Sequence, residues 1–191
     1  HEAGDELLCA AAARIIEEGF ATSRDRIDHC PTAFGELCEL VPRKLVFVRF
    51  TGDEFVALLP GVTDPAALAR IGERVVQALD RPFAIKGSEV RIGASIGIAT
   101  LHRHSSCPQE VMSCADLAMY AAKKAGRGRI AFYDARMGEM AAERTRLEVE
   151  LRHAIGAGQL RIVYQPKIDV DTLSVISVEA LVRWQHPERG W

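Results

Sequence analysis

The sequence has no apolar run approaching the ~20 residues a membrane span needs, and no charged-then-apolar leader. It has no excess of one charge. With 24 basic and 26 acidic residues the net charge is −2, so no basic field marks the chain for a nucleic-acid polymer or an anionic membrane. It has no CxxC pair. Its cysteines, Cys9, Cys30, Cys38, Cys107 and Cys114, are odd in number and read as reduced thiols of a cytoplasmic protein. His102, His104 and Cys107 are close in sequence. Structural zinc usually takes four ligands in paired spacing, so this stretch reads as a polar loop. There is no initiating Met. The start at His1, and an end at Trp191 within a strand pair, lead us to expect a fragment whose membrane anchor, where one exists, lies further N-terminal. What is present is ordinary for a globular protein, and 191 residues suit one domain and part of another.

Periodicity gives the elements. Asp5 to Glu18 carries Leu8, Ala12 and Ile15 on one helical stripe, with Gly19 as its stop. Residues 20–44 show no clear period, and we expect a loop with a short helix near 33–40. Leu45 to Phe50 is β-branched and aromatic, hence a buried strand. Thr51-Gly52-Asp53-Glu54 is a tight turn, and Phe55 to Leu59 the returning strand. Asp64-Pro65 opens a helix with a capping side chain and a first-turn proline, continued by Leu68, Ile71, Val75 and Leu79. Strands follow at 83–85 and 90–100, then a helix at 108–124 and a short strand at 129–133. A charged helix at 137–156 has Met140, Leu147, Leu151 and Ile155 on one face. Strands at 160–169 and 174–184 close the chain. Helices and hairpin-paired strands in this order give an α+β class.

The hairpin tip carries chemistry. Glycine allows close approach to a ligand, and adjacent acids on rigid strands can hold a divalent cation. On these residues alone a solvated Gly-Asp turn is the more ordinary reading. The wider pattern reverses that. Arg49-Phe50-Thr51-Gly52-Asp53-Glu54-Phe55 resembles the GGDEF signature. His1-Glu2-Ala3-Gly4-Asp5-Glu6-Leu7-Leu8 resembles the same family's GHxxGDxLL segment. Ala94 to Ala99 resembles its SIGIA strand, and Ala115 to Arg127 its ADxAMYxAKxxGR helix. The resemblance implies a palm-like, antiparallel-centred sheet with flanking helices that condenses two GTP into cyclic di-GMP as a face-to-face dimer. It implies that Asp53 binds metal, Mg2+ or Mn2+, and that Glu54 supports the site. Gly52 would lie under the phosphates, Asp5 would bond the guanine edge, and Lys123 and Arg127 would hold terminal phosphate oxygens. Cations suit that last role.

The sequence departs from the family in four ways. Thr51 replaces the first signature glycine. The family's first-strand Asp and the Asn and Asp of the next helix would lie before His1. The stretch leading to the hairpin is long. Pro42 and Leu45 stand where an inhibitory RxxD site would be.

Tyr164-Gln165-Pro166-Lys167-Ile168-Asp169 and Val178-Glu179-Ala180-Leu181-Val182-Arg183-Trp184-Gln185-His186-Pro187 resemble the opening of EAL domains, TIM-type barrels that hydrolyse cyclic di-GMP with two divalent metals. That resemblance makes Glu179 a metal ligand and puts Gln165 and Arg183 on the substrate. Such a barrel takes about 250 residues, and these strands supply only its first two. We therefore expect a GGDEF-type domain at 1–135, a linker helix at 136–156 and a truncated EAL-type domain at 157–191. Three functions stay open. One is a working phosphodiesterase with an altered, GTP-binding GGDEF half. Another is an active cyclase or bifunctional enzyme. The third is a non-enzymatic receptor.

Overall fold

The structure, a computed structural model, describes residues 2–23, 27 and 44–191. The helix expected at 33–40 lies outside these. The chain divides into two units, His1–Met137 and Gly138–Trp191.

The first unit opens with helix α1 (Glu2–Arg14), which passes into a π-helical turn at Ile15–Gly19. We expected a plain helix from Asp5 to Glu18. The widened turn lets consecutive Ile15 and Ile16 both be buried with Ala11, which a 3.6-residue period would not allow so easily. Leu8 and Ala12, assigned to the stripe, are only half-buried. Helix α2 (Pro65–Asp80) starts at Asp64, whose carboxylate accepts the N–H groups of Ala66 at 3.2 Å and Ala67 at 3.0 Å. Two of the helix's orphan donors are thereby satisfied. Its buried line, Leu68, Val75 and Leu79, keeps the expected spacing.

Ala11, Ile15, Val75, Leu79, Phe83 and Ile85 form the core. An arginine fastens its rim. Arg14 stacks its guanidinium 3.5 Å above the Phe83 ring. It also donates to the carbonyls of Ala78 at 3.3 Å, Arg81 at 2.6 Å and Pro82 at 3.1 Å. These are carbonyls at and just beyond the end of α2, where a cation is favoured. Arg14→Met keeps the apolar stem and loses the donors. We expect it to destabilise this unit by about 2 kcal/mol, seen as a lower urea midpoint at unchanged slope.

Strands β1 (Val46–Thr51) and β2 (Glu54–Leu58) form an antiparallel hairpin, with a register shift between Arg49 and Thr51. The expectation of two buried arms is corrected. Val46 is buried and Phe47 and Val48 are half-buried, but Arg49, Phe50 and Thr51 face solvent, as do Ala57 and Leu58 at the far end of β2. Phe47 explains where burial stops. It stacks on Phe55 at 5.3 Å, meets Phe20 edge-on at 5.6 Å and packs on the core; beyond it the tip projects outward.

β3 (Phe83–Ile85) and β4 (Ser88–Val90) pair antiparallel around Lys86-Gly87, both at positive φ. The single strand expected over 90–100 is not formed. Only β5 (Ile96–Ile98) is regular, pairing parallel with β6 (Ile130–Phe132). Ile92, Ala94 and Ile96 still pack on the core with strand-like alternation. Among the described residues, however, no neighbouring backbone makes a ladder with 91–95. Helix α3 (Pro108–Lys124) covers β5, burying Cys114, Ala118 and Ala122.

Helix α4 (Ala135–Gly156) begins at the end of the first unit. In the second unit its buried line is not the expected Met140, Leu147, Leu151, Ile155 stripe. Met140 and Ile155 are 72% and 66% exposed. The protected line runs through Glu143, Leu147, Glu150 and Ala154, at helical spacing. Its acids are held by polar partners. Glu143 pairs with Arg189, and Glu150 meets His186 Nε2 at 3.1 Å and Arg146 at 2.9 Å. His186 and then Arg146, both hydrogen-bonded to it, hold the Glu150 carboxyl below its ordinary pKa. Strands β7 (Leu160–Ile168) and β8 (Val175–Trp184) make an antiparallel ribbon. Its turn is organised by Asp169, whose Oδ1 accepts the N–H groups of Asp171 at 3.0 Å and Thr172 at 2.8 Å.

Candidate functional site

Two groups of side chains carry the candidate chemistry, one in each unit.

In the first unit, the Gly52-Asp53 turn is held by its own strand. Arg49 Nε donates to the Gly52 carbonyl at 2.8 Å. Gly52 has φ +51, and a Cβ built there would meet nothing within 4 Å. Glycine is needed for the backbone conformation, and the space over it stays open. Asp53 is exposed at the tip, as expected. Glu54 is not in the turn. It opens β2 opposite Thr51 and is half-buried, so of the two acids expected in the turn only Asp53 stands in it. Thr51, where the signature has its first glycine, is exposed on β1.

The other residues assigned to this site sit on other elements. Asp5 is exposed in the first turn of α1, and Lys123 is exposed in the last turn of α3. Arg127 follows α3 at φ +60, its N–H donating to Ala122 O at 3.1 Å. No hydrogen bond or ion pair among the described residues joins these three to Asp53 or Glu54. His104, in the loop before α3, is committed elsewhere. Its Nδ1 accepts the Thr100 N–H at 2.9 Å and its ring meets Tyr133 edge-on. Burial first, and then Arg103, push its pKa down.

In the second unit the register puts three assigned residues on one face. Gln165 stands directly opposite Glu179, and Arg161 opposite Arg183. Side chains alternate along a strand, so Gln165, Glu179 and Arg183 share one face of the ribbon. Lys167 shares it too, with Nζ 3.8 Å from Glu179 Oε2. Neither Lys167 nor Arg49 was singled out from sequence. A period of two from Gln165 would have found the lysine, and the three-residue spacing to Gly52 the arginine.

Asp53, Glu54 and Glu179 offer hard carboxylate oxygens, the donors that Mg2+ and Mn2+ take. Among the described residues no group of three or more His, Cys, Asp or Glu side chains converges. None of the three carboxylates belongs to such a group. Among the same residues no helix is long and apolar enough to cross a membrane.

Comparison with known proteins agrees with both halves. Residues 32–129, just over half of the chain, match the family model described as diguanylate cyclase, GGDEF domain. Residues 148–191 match the EAL domain model. Asp5 lies outside both stretches. The chain is 42% identical over 142 residues to the bifunctional diguanylate cyclase/cyclic di-GMP phosphodiesterase MucR of Pseudomonas aeruginosa, covering 74% of this chain and 21% of that protein. It is 41% identical over 145 residues to the cyclic di-GMP phosphodiesterase PdeR of Escherichia coli, covering 76% and 22%. The chain thus spans about a fifth of the length of the curated relatives it matches. Among solved structures, the isolated GGDEF domain of PA1120 from Pseudomonas aeruginosa aligns with a TM-score of 0.57 at 26% identity, over 74% of this chain and 70% of that one. An EAL/GGDEF domain protein from M. capsulatus aligns with a TM-score of 0.51 at 28% identity, over 68% and 70%. With a hairpin of the signature sequence in the first unit and the ribbon of the second motif in the other, the chain belongs to the GGDEF-domain family of diguanylate cyclases and carries the opening of an EAL domain behind it.

Proposed function

We propose that this chain is the junction of a cyclic di-GMP signalling protein whose EAL half hydrolyses cyclic di-GMP and whose altered GGDEF half binds GTP. The observation that carries the reading is the ribbon face with Gln165, Glu179 and Arg183 in register. A carboxylate, an amide and a guanidinium on one rigid face suit metal-assisted phosphodiester hydrolysis. Bound at Glu179, Mg2+ or Mn2+ supplies an activated water and charge stabilisation. Gln165 and Arg183 bind and orient the anionic substrate, the guanidinium by paired hydrogen bonds to phosphate oxygens. In the first unit, Asp53 with Glu54 is the metal-binding edge. Gly52 leaves room for phosphates, Lys123 and Arg127 take terminal phosphate charge, and Asp5 reads the guanine. Thr51 adds a side chain where the signature has only backbone, which weakens phosphate approach. Residues 1–135 then act as the nucleotide-binding domain, 136–156 as linker and 157–191 as the start of the hydrolase. The protein works in the cytoplasm, where GTP is available, and pairs as a homodimer.

The reading is tested by linear dinucleotide release from the whole protein supplied with Mg2+ or Mn2+. Hydrolysis supports it, and binding of cyclic di-GMP without turnover would replace it with the receptor reading. A second reading, a bifunctional enzyme, is favoured by the likeness to MucR, a bifunctional diguanylate cyclase/cyclic di-GMP phosphodiesterase. The 191-residue chain itself, given GTP and Mg2+ or Mn2+, is expected to form no cyclic di-GMP above background. Asp53 and Glu54 are joined by no third metal donor among the described residues. Product that appears and is lost in Asp53→Ala would favour the bifunctional enzyme.

A further inference from the structure

Glu179 has an ion-pair partner that the proposed roles do not use. Lys167 lies on the neighbouring strand, diagonal to it in the ladder, and its ammonium is 3.8 Å from Oε2. Both side chains are more than half exposed, at 60% and 51%, so the pair contributes little to stability. Its consequence is for occupancy. An ammonium and a divalent cation compete for the same carboxylate oxygen, and their like charges oppose binding together. The other polar groups of this face are less able to compete. Gln165 is neutral, and the face's two guanidiniums, Arg161 and Arg183, stand opposite each other four residues along their strands from Gln165 and Glu179. Lys167 is thus the cation a metal ion would have to displace.

The displaced lysine has somewhere to go. Its stem is long and flexible, and the head is a strongly hydrated point charge with three donors. Once Glu179 is neutralised by another cation, the uncompensated group within reach is an anionic phosphodiester lying on the same face. Resting on the phosphodiesterase reading above, we propose that Lys167 is a phosphate-binding residue of the EAL site, held on Glu179 until a divalent cation takes its place.

The test uses the whole protein and two ligands measured separately. Mn2+ binding is followed by calorimetry without nucleotide, and the KM for cyclic di-GMP is measured at saturating Mn2+. Lys167→Met removes the competitor and the phosphate donor together. It is expected to bind Mn2+ about two- to fivefold more tightly while its KM rises about tenfold. Lys167→Arg keeps the charge and should bring KM most of the way back. A merely structural lysine would not move the two constants in opposite directions. Unchanged Mn2+ affinity, or unchanged KM, overturns the proposal. So does tighter Mn2+ binding that persists when Lys167→Met is added to Glu179→Gln, because the lysine would then be acting through another group. Glu179→Gln alone separates the two levels. If it leaves Mn2+ affinity untouched, the metal assignment itself falls, and this proposal with it.

Discussion

Glu179→Gln in the whole protein is expected to lower release of linear dinucleotide by at least about 10³-fold, equivalent to roughly 4 kcal/mol of transition-state stabilisation. The substitution keeps size and removes the anion. Glu179 sits in the middle of a ten-residue strand opposite Gln165, exposed on the ribbon. Its replacement should therefore leave fold stability unchanged while removing a hard oxygen ligand. The loss should appear in kcat, because a metal ligand acts on charge that develops in the transition state. Arg183→Ala should raise KM and lower kcat together, since a guanidinium on the phosphate serves both ground and transition states. Glu54→Ala, in the other unit, should leave hydrolysis largely intact. Undiminished turnover in Glu179→Gln would remove the metal assignment.

Gly97→Ala is expected to unfold the first unit or cost it about 3 kcal/mol or more. A Cβ at Gly97 would lie 1.9 Å from the Ala115 carbonyl oxygen and 2.3 Å from the Met119 nitrogen. Both are backbone atoms of α3, so no side chain can turn aside. The helix must lift from β5, and Cys114, Ala118 and Ala122, which face it, lose their burial. Gly72→Ala meets side-chain atoms instead of backbone, Ile130 Cγ2 at 2.8 Å and Ile98 Cδ1 at 3.5 Å, and serves as the milder comparison. Thermal unfolding of the two variants should rank them clearly. Equal midpoints would mean that the helix–strand contact is looser than the geometry indicates.

Some of this architecture was readable from local chemistry. Both α2 and α3 begin at a proline in the first turn, and both have the limits their sequences announce. Asp64 closes the first of these starts with its own carboxylate. The carboxylate hairpin and the ribbon were legible for a different reason. Each is a short-range pairing around a tight turn, so register and motif travel together. What was missed depends on partners distant in sequence. The alternation of Ile92, Ala94 and Ile96 was real, yet alternation reports burial and not a hydrogen-bonded neighbour. The stripe Met140, Leu147, Leu151, Ile155 is present in the sequence, but of its four residues only Leu147 is protected. The line of α4 that is covered follows Glu143 and Glu150 instead, because Arg189 and His186 reach those acids. Hydrophobic pattern cannot foresee a face recruited by charge.

The π turn at the end of α1 can be considered as chain length. A π turn holds one residue more than the α turn it replaces, so Ile15–Gly19 behaves as a single-residue insertion absorbed without a loop. Everything before it, including the Arg14 guanidinium on Phe83, keeps one angular phase. Everything after it is rotated by about 100°. That offset seats Gly19 against Val75, where an added Cβ would lie 2.5 Å from Cγ2, and aligns the Gly19 carbonyl with Arg74 Nε at 3.1 Å. The extra residue is taken up inside the helix itself, so the chain meets α2 through Gly19 with no loop between α1 and that contact.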